Sequence, residues 1–299
     1  MQHAETNINQ SKMMAASSAK MSVIDLIGRS AFYTAMIALA FLFAAPLLWM
    51  ISTSLKTDPQ VYTVPPIWIP NPTRFLNYPE ALSARPFGTY TWNTVQYALI
   101  SVLGVVISCT LVAYGFARIR WKGRDILFIL CISSMMIPFQ VRMIPLYLTF
   151  RDFGWLNSYL PLTVPTFFGV NAYFIFLLRQ FFLSIPEELS DAARVDGCSE
   201  LGILLRIILP LAKSSLAVIA LLQFMGAWDD FIRPLIYLNE EHLYPIALGL
   251  RQFRGAFYEK LTWPYMMAAS TTTVAPIILL FFFVQRTFVE GISITGIKG

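Results

Sequence analysis

Charged and aromatic residues set inside apolar sequence are where this chain could do chemistry. Trp228, Asp229, Asp230 and Arg233 fall in the apolar run Ser214–Leu238, and Arg142 falls in Ile126–Phe150. Ionisable groups at membrane depth are costly and usually face protein or a water-filled cavity. Asp229 and Asp230 stand four and three residues before Arg233, so they could pair with it on one helix face. Two readings stay open: a structural ion pair near the outer end of that segment, or carboxylates and an indole lining a transport path. Arg142, beside Gln140 and near a span end, is expected to snorkel to the outer surface. Asn171 and Gln223 are polar and mid-span, fit either for a path or as interhelical hydrogen-bond glue.

Enzymatic constellations are missing from the pattern. The only histidines are His3 and His242, and Arg194 has the wrong spacing to serve Glu187-Glu188 in a glutamate-type membrane protease. Cys109, Cys131 and Cys198 are scattered and odd in number, without disulfide or metal-ligand spacing. No catalytic residue and no metal site is therefore expected. There is no G-x-x-x-x-G-K-[ST], hence no phosphate cradle, and any ATP chemistry must belong to another polypeptide.

The elements that must carry these residues follow from composition. With 57% apolar residues, 13% charged residues and a mean hydropathy of +0.60, the 299-residue chain cannot coat a soluble globule with charge. Lipid must do so, and the length allows about six spans. Charge-free runs of 26, 26 and 25 residues lie between Arg29 and Lys56, Asp152 and Arg179, and Lys260 and Arg286. Adding the run after Arg85 and the two charged segments gives spans at 31–54, 93–117, 126–150, 160–179, 214–238 and 265–286. Such lengths require helices, since barrel strands need only about 9–11 residues. Residues 1–22 read as a flexible polar tail, and 23–299 as one membrane domain.

The tight turn Arg118–Arg124, four basic residues in seven without an acid, places that side in the cytoplasm, with both termini. A net charge of +5 thus bears on orientation and gives no reason to expect nucleic acid. The large outside segments are then Lys56–Trp92, rich in proline, and Asn239–Trp263. The proline breaks at Pro138, Pro145, Pro161, Pro165, Pro234 and Pro276 fit bent helices around a cavity as well as plain bundle packing.

The stretch Ser184–Pro210 reads as a helix, a glycine turn and a second helix between two spans. Ser184 with Glu187 predicts a capping box, with Pro186 in the first turn. Glu187, Glu188 and Asp191 suit the positive helix N-terminus. Gly197 would stop the helix in a left-handed cap, Ser199 would start the second helix and Pro210 would close it. Ala192 and Ala193 leave a low-profile face for close approach by another protein. An amphipathic hairpin on the headgroups is the plain alternative.

Asp191-Ala192-Ala193, Gly197, Ile207 and Leu209-Pro210 have the spacing of the EAA loop of ABC importer permeases, which this sequence resembles. Trp228-Asp229-Asp230-Phe231 with Pro234-Leu235, Gly249-Leu250, Met267-Ala268-Ala269 and the ending Gly296-Ile297-Lys298-Gly299 also resemble carbohydrate-importer permeases of the maltose-transporter type. Asp191 departs from the family's usual Glu, and Asp229 from its commoner Asn. The resemblance implies an all-α polytopic membrane protein: six transmembrane helices in the type I ABC importer arrangement, with a coupling helix in the loop between spans 4 and 5. It implies that Glu187, Glu188, Asp191, Ala192, Ala193, Gly197, Ile207, Leu209 and Pro210 serve ATPase coupling. The path residues would be Asn171, Gln223, Trp228, Asp229 and Asp230, handling a carbohydrate. Implied partners are a second homologous permease, two copies of a cytoplasmic P-loop ATPase carrying ATP-Mg, an extracytoplasmic sugar-binding protein facing Asn239–Trp263, and the bilayer of a prokaryotic inner membrane. A secondary transporter or channel, or an importer of a glycerol-phosphate-type solute using Arg142 and Arg233, are the alternatives.

Overall fold

Long apolar runs in a medium without water must satisfy their own backbone groups, and helices do so within one segment. The computed structural model describes residues 23–255 and 263–296, and the regular elements among them are helical. The expected tail 1–22, Phe257, Tyr258 and residues 297–299 lie outside the described residues, as do the side chains of Arg254, Arg286 and Glu290.

The first of two units, ending at Ser52, is dominated by α1 (Val23–Ser54), unbroken at Pro46 and with exposed Phe41, Leu42 and Phe43 along it. The second unit contains α2 (Asn77–Ala84), α3 (Phe87–Ala117), α4 (Arg124–Ser133), α5 (Phe139–Asp152), α6 (Ala172–Ser184), α7 (Glu187–Val195), α8 (Glu200–Leu211), α9 (Lys213–Trp228), α10 (Ile232–Tyr237), α11 (Ile246–Gly255) and α12 (Trp263–Gly296).

Among the described residues four stretches, Ile27–Ser54, Phe87–Ala117, Leu160–Ser184 and Trp263–Phe283, are long and apolar enough to cross a bilayer. Two bent pairs raise the number to six if each is one span. The first pair covers the segment expected at 126–150, and the second leads into the one expected at 214–238. The first bends by 98° between Met136 and Phe139. Ile137 is extended (ψ 109°) because it precedes Pro138, whose ring disfavours helical geometry there. The segment expected as one helix through 238 stops at Trp228, and α10 starts anew at Ile232. Its other end is bent too, by 81° between α8 and α9. The helix expected at 160–179 is likewise irregular: a turn at Leu160–Thr163 and a 3-10 turn at Val164–Phe168 precede α6.

That irregular stretch packs on a face of α3 made of small residues. Ser101 and Ser108 donate hydroxyl hydrogen bonds to the carbonyls of Leu162 (3.4 Å) and Thr166 (2.7 Å). Gly104 lies between them, and a Cβ there would stand 2.2 Å from Thr166 Oγ1 and under 3 Å from the Phe167 ring. Small residues let two backbones approach, and the serines satisfy carbonyls that the broken helix leaves open.

Three apolar clusters share α3. Cys109, Ala113 and Tyr114 pack with α6, α8 and α9; Phe87 and Tyr90 with α2, α11 and α12; Tyr97 and Ala98 with α5, Leu162 and α10. Residues 239–245 are consequently a short strap pinned to α3, and α11 follows. Asn93 Nδ2 donates to the carbonyls of His242 (2.8 Å) and Tyr244 (3.1 Å), and Thr94 Oγ1 accepts from the Ile246 N–H (2.7 Å).

Gly104→Ala should lower the melting temperature of the detergent-purified protein, by about 1–3 kcal/mol of overpacking. Gly115→Ala, on the same helix with open space around its Cβ position, should leave it nearly unchanged.

Candidate functional site

Two constellations concentrate the polar chemistry: the hairpin α7–α8, and a cavity among the broken helices. The hairpin begins where Ile185, extended before Pro186 (ψ 133°), ends α6. Pro186 is the N-cap of α7, and the Ser184 hydroxyl donates back to the Phe181 carbonyl at 2.7 Å. The expected Ser184–Glu187 capping box does not form, because Ser184 belongs to the preceding helix. Glu187 and Glu188 do occupy the first turn of α7.

At the other end Gly197 takes φ +78°. Its N–H bonds the Arg194 carbonyl (3.0 Å), and the Cys198 N–H bonds the Ala193 carbonyl (2.9 Å). This is a complete Schellman turn, which favours glycine at that position. Ser199 then caps α8, its hydroxyl accepting from the Gly202 N–H at 3.2 Å. The second helix ends one residue past Pro210. A π turn at Leu204–Ile208 lets α8 run to Leu211, and the chain bends at Ala212.

The hairpin is tied to α3 by side chains that lie far apart in sequence. Tyr114 OH donates to Glu200 at 2.6 Å; Arg194 pairs with Glu200 (2.8 Å) and with Asp191 (2.7 Å). Hydrogen bonding to Glu200 first, and then Asp191, hold the Arg194 guanidinium above its usual value, so the hub stays charged. Asp191 is thereby engaged inside the chain. Arg118, buried at the end of α3, donates to the carbonyls of Phe182 and Ile185, which close α6. Cations belong at helix C-termini for this reason. Ile207 and Leu209 pack against the apolar cluster under the hairpin. Pro210 is exposed. The outward face of α7 exposes Leu189, Ala192 and Val195, flanked by the exposed acids Glu187, Glu188, Asp191 and Asp196.

The cavity holds about 380 Å³ and lies among α3, α5, the 161–166 turn, α6, α9 and α10. Its polar lining includes Ser134, Arg142, Thr166, Asn171, Tyr173, Gln223, Arg233 and Tyr237. Asn171 caps α6, accepting from the Phe174 N–H at 3.3 Å, and Gln223 is buried on α9. Of the five residues expected along a path, these two line the cavity. Trp228 is buried elsewhere, stacked on Phe224 and donating to the Thr273 carbonyl at 3.1 Å. Asp229 is exposed, while Asp230 is the acid that pairs with Arg233, at 2.8 Å. Tyr97 completes a closed triad, donating to Asp230 (2.8 Å) and accepting from Arg233 (3.0 Å). Arg142 does not snorkel outward as expected: the bend before α5 turns it into the cavity.

Tyr114, Arg118, Arg194, Glu200, Tyr173 and Tyr237 were not singled out as site residues by the sequence. A basic residue at a span end followed by an acidic–basic hairpin is the one local signal for the first four.

Residues 100–294 match the family described as the binding-protein-dependent transport system inner membrane component. The chain is 30% identical over 254 residues to the sulfoquinovosyl glycerol transport system permease protein SmoH of Agrobacterium fabrum, covering 85% of this chain and 88% of that protein. It is 32% identical over 264 residues to the arabinooligosaccharides transport system permease protein AraQ of Halalkalibacterium halodurans, covering 87% and 93%. A chain in the crystal structure of a bacterial ABC transporter involved in the import of the acidic polysaccharide alginate superposes with a TM-score of 0.78. The identity is 25%, covering 90% of this chain and 99% of that one.

Removing Asp230 would leave the partly exposed Arg233 guanidinium without its carboxylate and Tyr97 without its acceptor, a cost of about 1–3 kcal/mol. Asp230→Asn should therefore sharply reduce the yield of folded protein on gel filtration. Asp229→Asn should leave that yield unchanged.

Proposed function

Because the chain belongs to the family of binding-protein-dependent transport system inner membrane components, we propose that it is one of two permease subunits in an ATP-driven carbohydrate importer. The hairpin carries this reading. Its outward face, Leu189, Ala192 and Val195 ringed by Glu187, Glu188, Asp191 and Asp196, has the shape and charge to seat in an apolar groove with a basic rim. A cytoplasmic P-loop ATPase, two copies per importer, supplies that groove and holds ATP-Mg at its own P-loop. The second permease completes the path, and an extracytoplasmic binding protein delivers the solute to the side of 239–263. Both termini lie in the cytoplasm of a prokaryotic cell, on the side of the Arg118–Arg124 turn.

The coupling follows from how firmly the hairpin is held. A displacement of α7 passes through the Schellman turn at Gly197 into α8, and through Arg194, Glu200 and Tyr114 into α3. Arg118 carries α6 along with it. Since α3, α6 and α9 line the cavity, closure of the ATPase pair changes the cavity's walls. Alternating access requires that the open and closed ATPase states hold the hairpin differently. The cargoes named for relatives, sulfoquinovosyl glycerol and arabinooligosaccharides, support a saccharide cargo for this chain.

Affinity purification of the chain in mild detergent should recover a P-loop ATPase and a second, related permease. Recovery of the chain alone, still transporting without ATP, would point to a secondary carrier. In the reconstituted importer Gly197→Val should leave ATP hydrolysis running while uptake falls by roughly tenfold or more. The left-handed backbone there costs an L-residue about 1–2 kcal/mol. Gly197→Asn, which tolerates that conformation, should retain coupling.

A further inference from the structure

The cavity is electrically one-sided. Two guanidinium groups, Arg142 and Arg233, face it together with the donors of Asn171 and Gln223, and among the described residues its lining contains no aspartate or glutamate. Arg233 is neutralised from behind by Asp230. Arg142 has an exposed side chain and makes no ion pair or hydrogen bond with any described residue. It follows the bend that comes after the helical stretch Arg124–Met136, about 20 Å along from Arg124. With the bent pair Arg124–Asp152 counted as one span, Arg142 falls within the membrane segment. A guanidinium kept at such a depth without a protein counter-charge is costly unless water or an anion meets it.

The amides of Asn171 and Gln223 can meet the hydroxyls of a neutral sugar, but such a sugar gives the guanidinium no counter-charge. A guanidinium fork instead matches a carboxylate, sulfonate or phosphate with paired hydrogen bonds. Tyr173, exposed at the start of α6, offers aromatic surface to the ring carbons of the same solute. The volume of about 380 Å³ falls in the range of small-molecule cavities.

Resting on the importer reading above, we propose that the cavity takes an anionic solute. This is a sugar or sugar-alcohol derivative bearing a carboxylate, sulfonate or phosphate, whose acid group pairs with Arg142 during passage. Arg142 is then a specificity-determining residue, and Arg233 a donor held in place by Asp230 and Tyr97.

The test uses the assembled importer in liposomes: this chain with its second permease, ATPase and binding protein. Uptake is measured for matched probes: oligouronates against neutral oligosaccharides of equal length, sulfonated and phosphorylated hexoses against the parent hexoses, and glycerol 3-phosphate against glycerol. The expected result is ATP-dependent uptake confined to anionic members. Arg142→Gln should lower it at least tenfold, on the scale of a lost charge-assisted hydrogen bond. Arg142→Lys, keeping the charge, should retain a substantial part at the same yield of assembled complex. Uptake of a neutral probe at equal rates by the protein and Arg142→Gln would overturn the inference and leave the importer reading standing. So would ATPase activity coupled to the binding protein with no anionic probe carried. Anionic uptake indifferent to Arg142→Gln would assign the counter-charge of Arg142 to the second permease and overturn its role. Failure of any ATPase to join the complex would instead sink the importer reading itself.

Discussion

The close approach of the broken segment 160–171 to the small-residue face of α3 is the interaction on which the rest of the second unit depends. Inside a membrane, a helix interrupted by Pro161 and Pro165 exposes carbonyls that no water can reach. Ser101 and Ser108 meet two of them, and the missing side chain at Gly104 makes the approach sterically possible. Once that segment is seated, α6 starts at Asn171 beside α3, and the space left between α3, α5 and α9 becomes the cavity. The same helix reaches the hairpin through Tyr114 and Arg118 at its other end. One element thus connects the place where a solute can sit with the place where a partner can push.

Charge is used differently at these two places. Around the hairpin, Arg194, Asp191 and Glu200 satisfy one another in partly exposed surroundings, where each pair alone adds little stability. Their value is geometric: they hold α7 and α8 at a set angle and join them to α3. Asp191 is engaged by Arg194, so the outward face offers shape through Leu189, Ala192 and Val195, with the remaining acids at its rim. Along the cavity the logic inverts. Asp230, Arg233 and Tyr97 form a closed set, whereas Arg142 stands open to the void. A fold that neutralises one intramembrane cation internally and leaves another facing a cavity distinguishes structural charge from charge held for a visitor.

Much of this protein was legible in the chain because membranes impose one-dimensional rules. Apolar run length, basic turn composition and the requirement for internal hydrogen bonding act on contiguous residues. They are enough for an all-helical membrane protein. The hairpin was equally legible. Its turn glycine and Ser199 cap are local backbone devices, and Gly197 adopts the left-handed conformation that the pattern requires. The local rule failed at Ser184, where a proline two positions on moved the helix start and left the serine on the wrong helix.

What only the tertiary structure decided concerns direction and long-range partnership. Hydropathy along the chain cannot say that Met136 and Phe139 belong to helices 98° apart, and that bend alone turns Arg142 from the outer surface into a cavity. Nor does spacing choose between Asp229 and Asp230 as the partner of Arg233. Tyr97, more than 130 residues away, makes that choice from the neighbouring helix. Trp228, a tempting sugar platform in the sequence, is buried because the Thr273 carbonyl across the packing surface takes its indole N–H. Sequence determined which residues had to be inside the membrane and where the chain had to turn. Packing determined which of them face a void, because that depends on what lies across the gap.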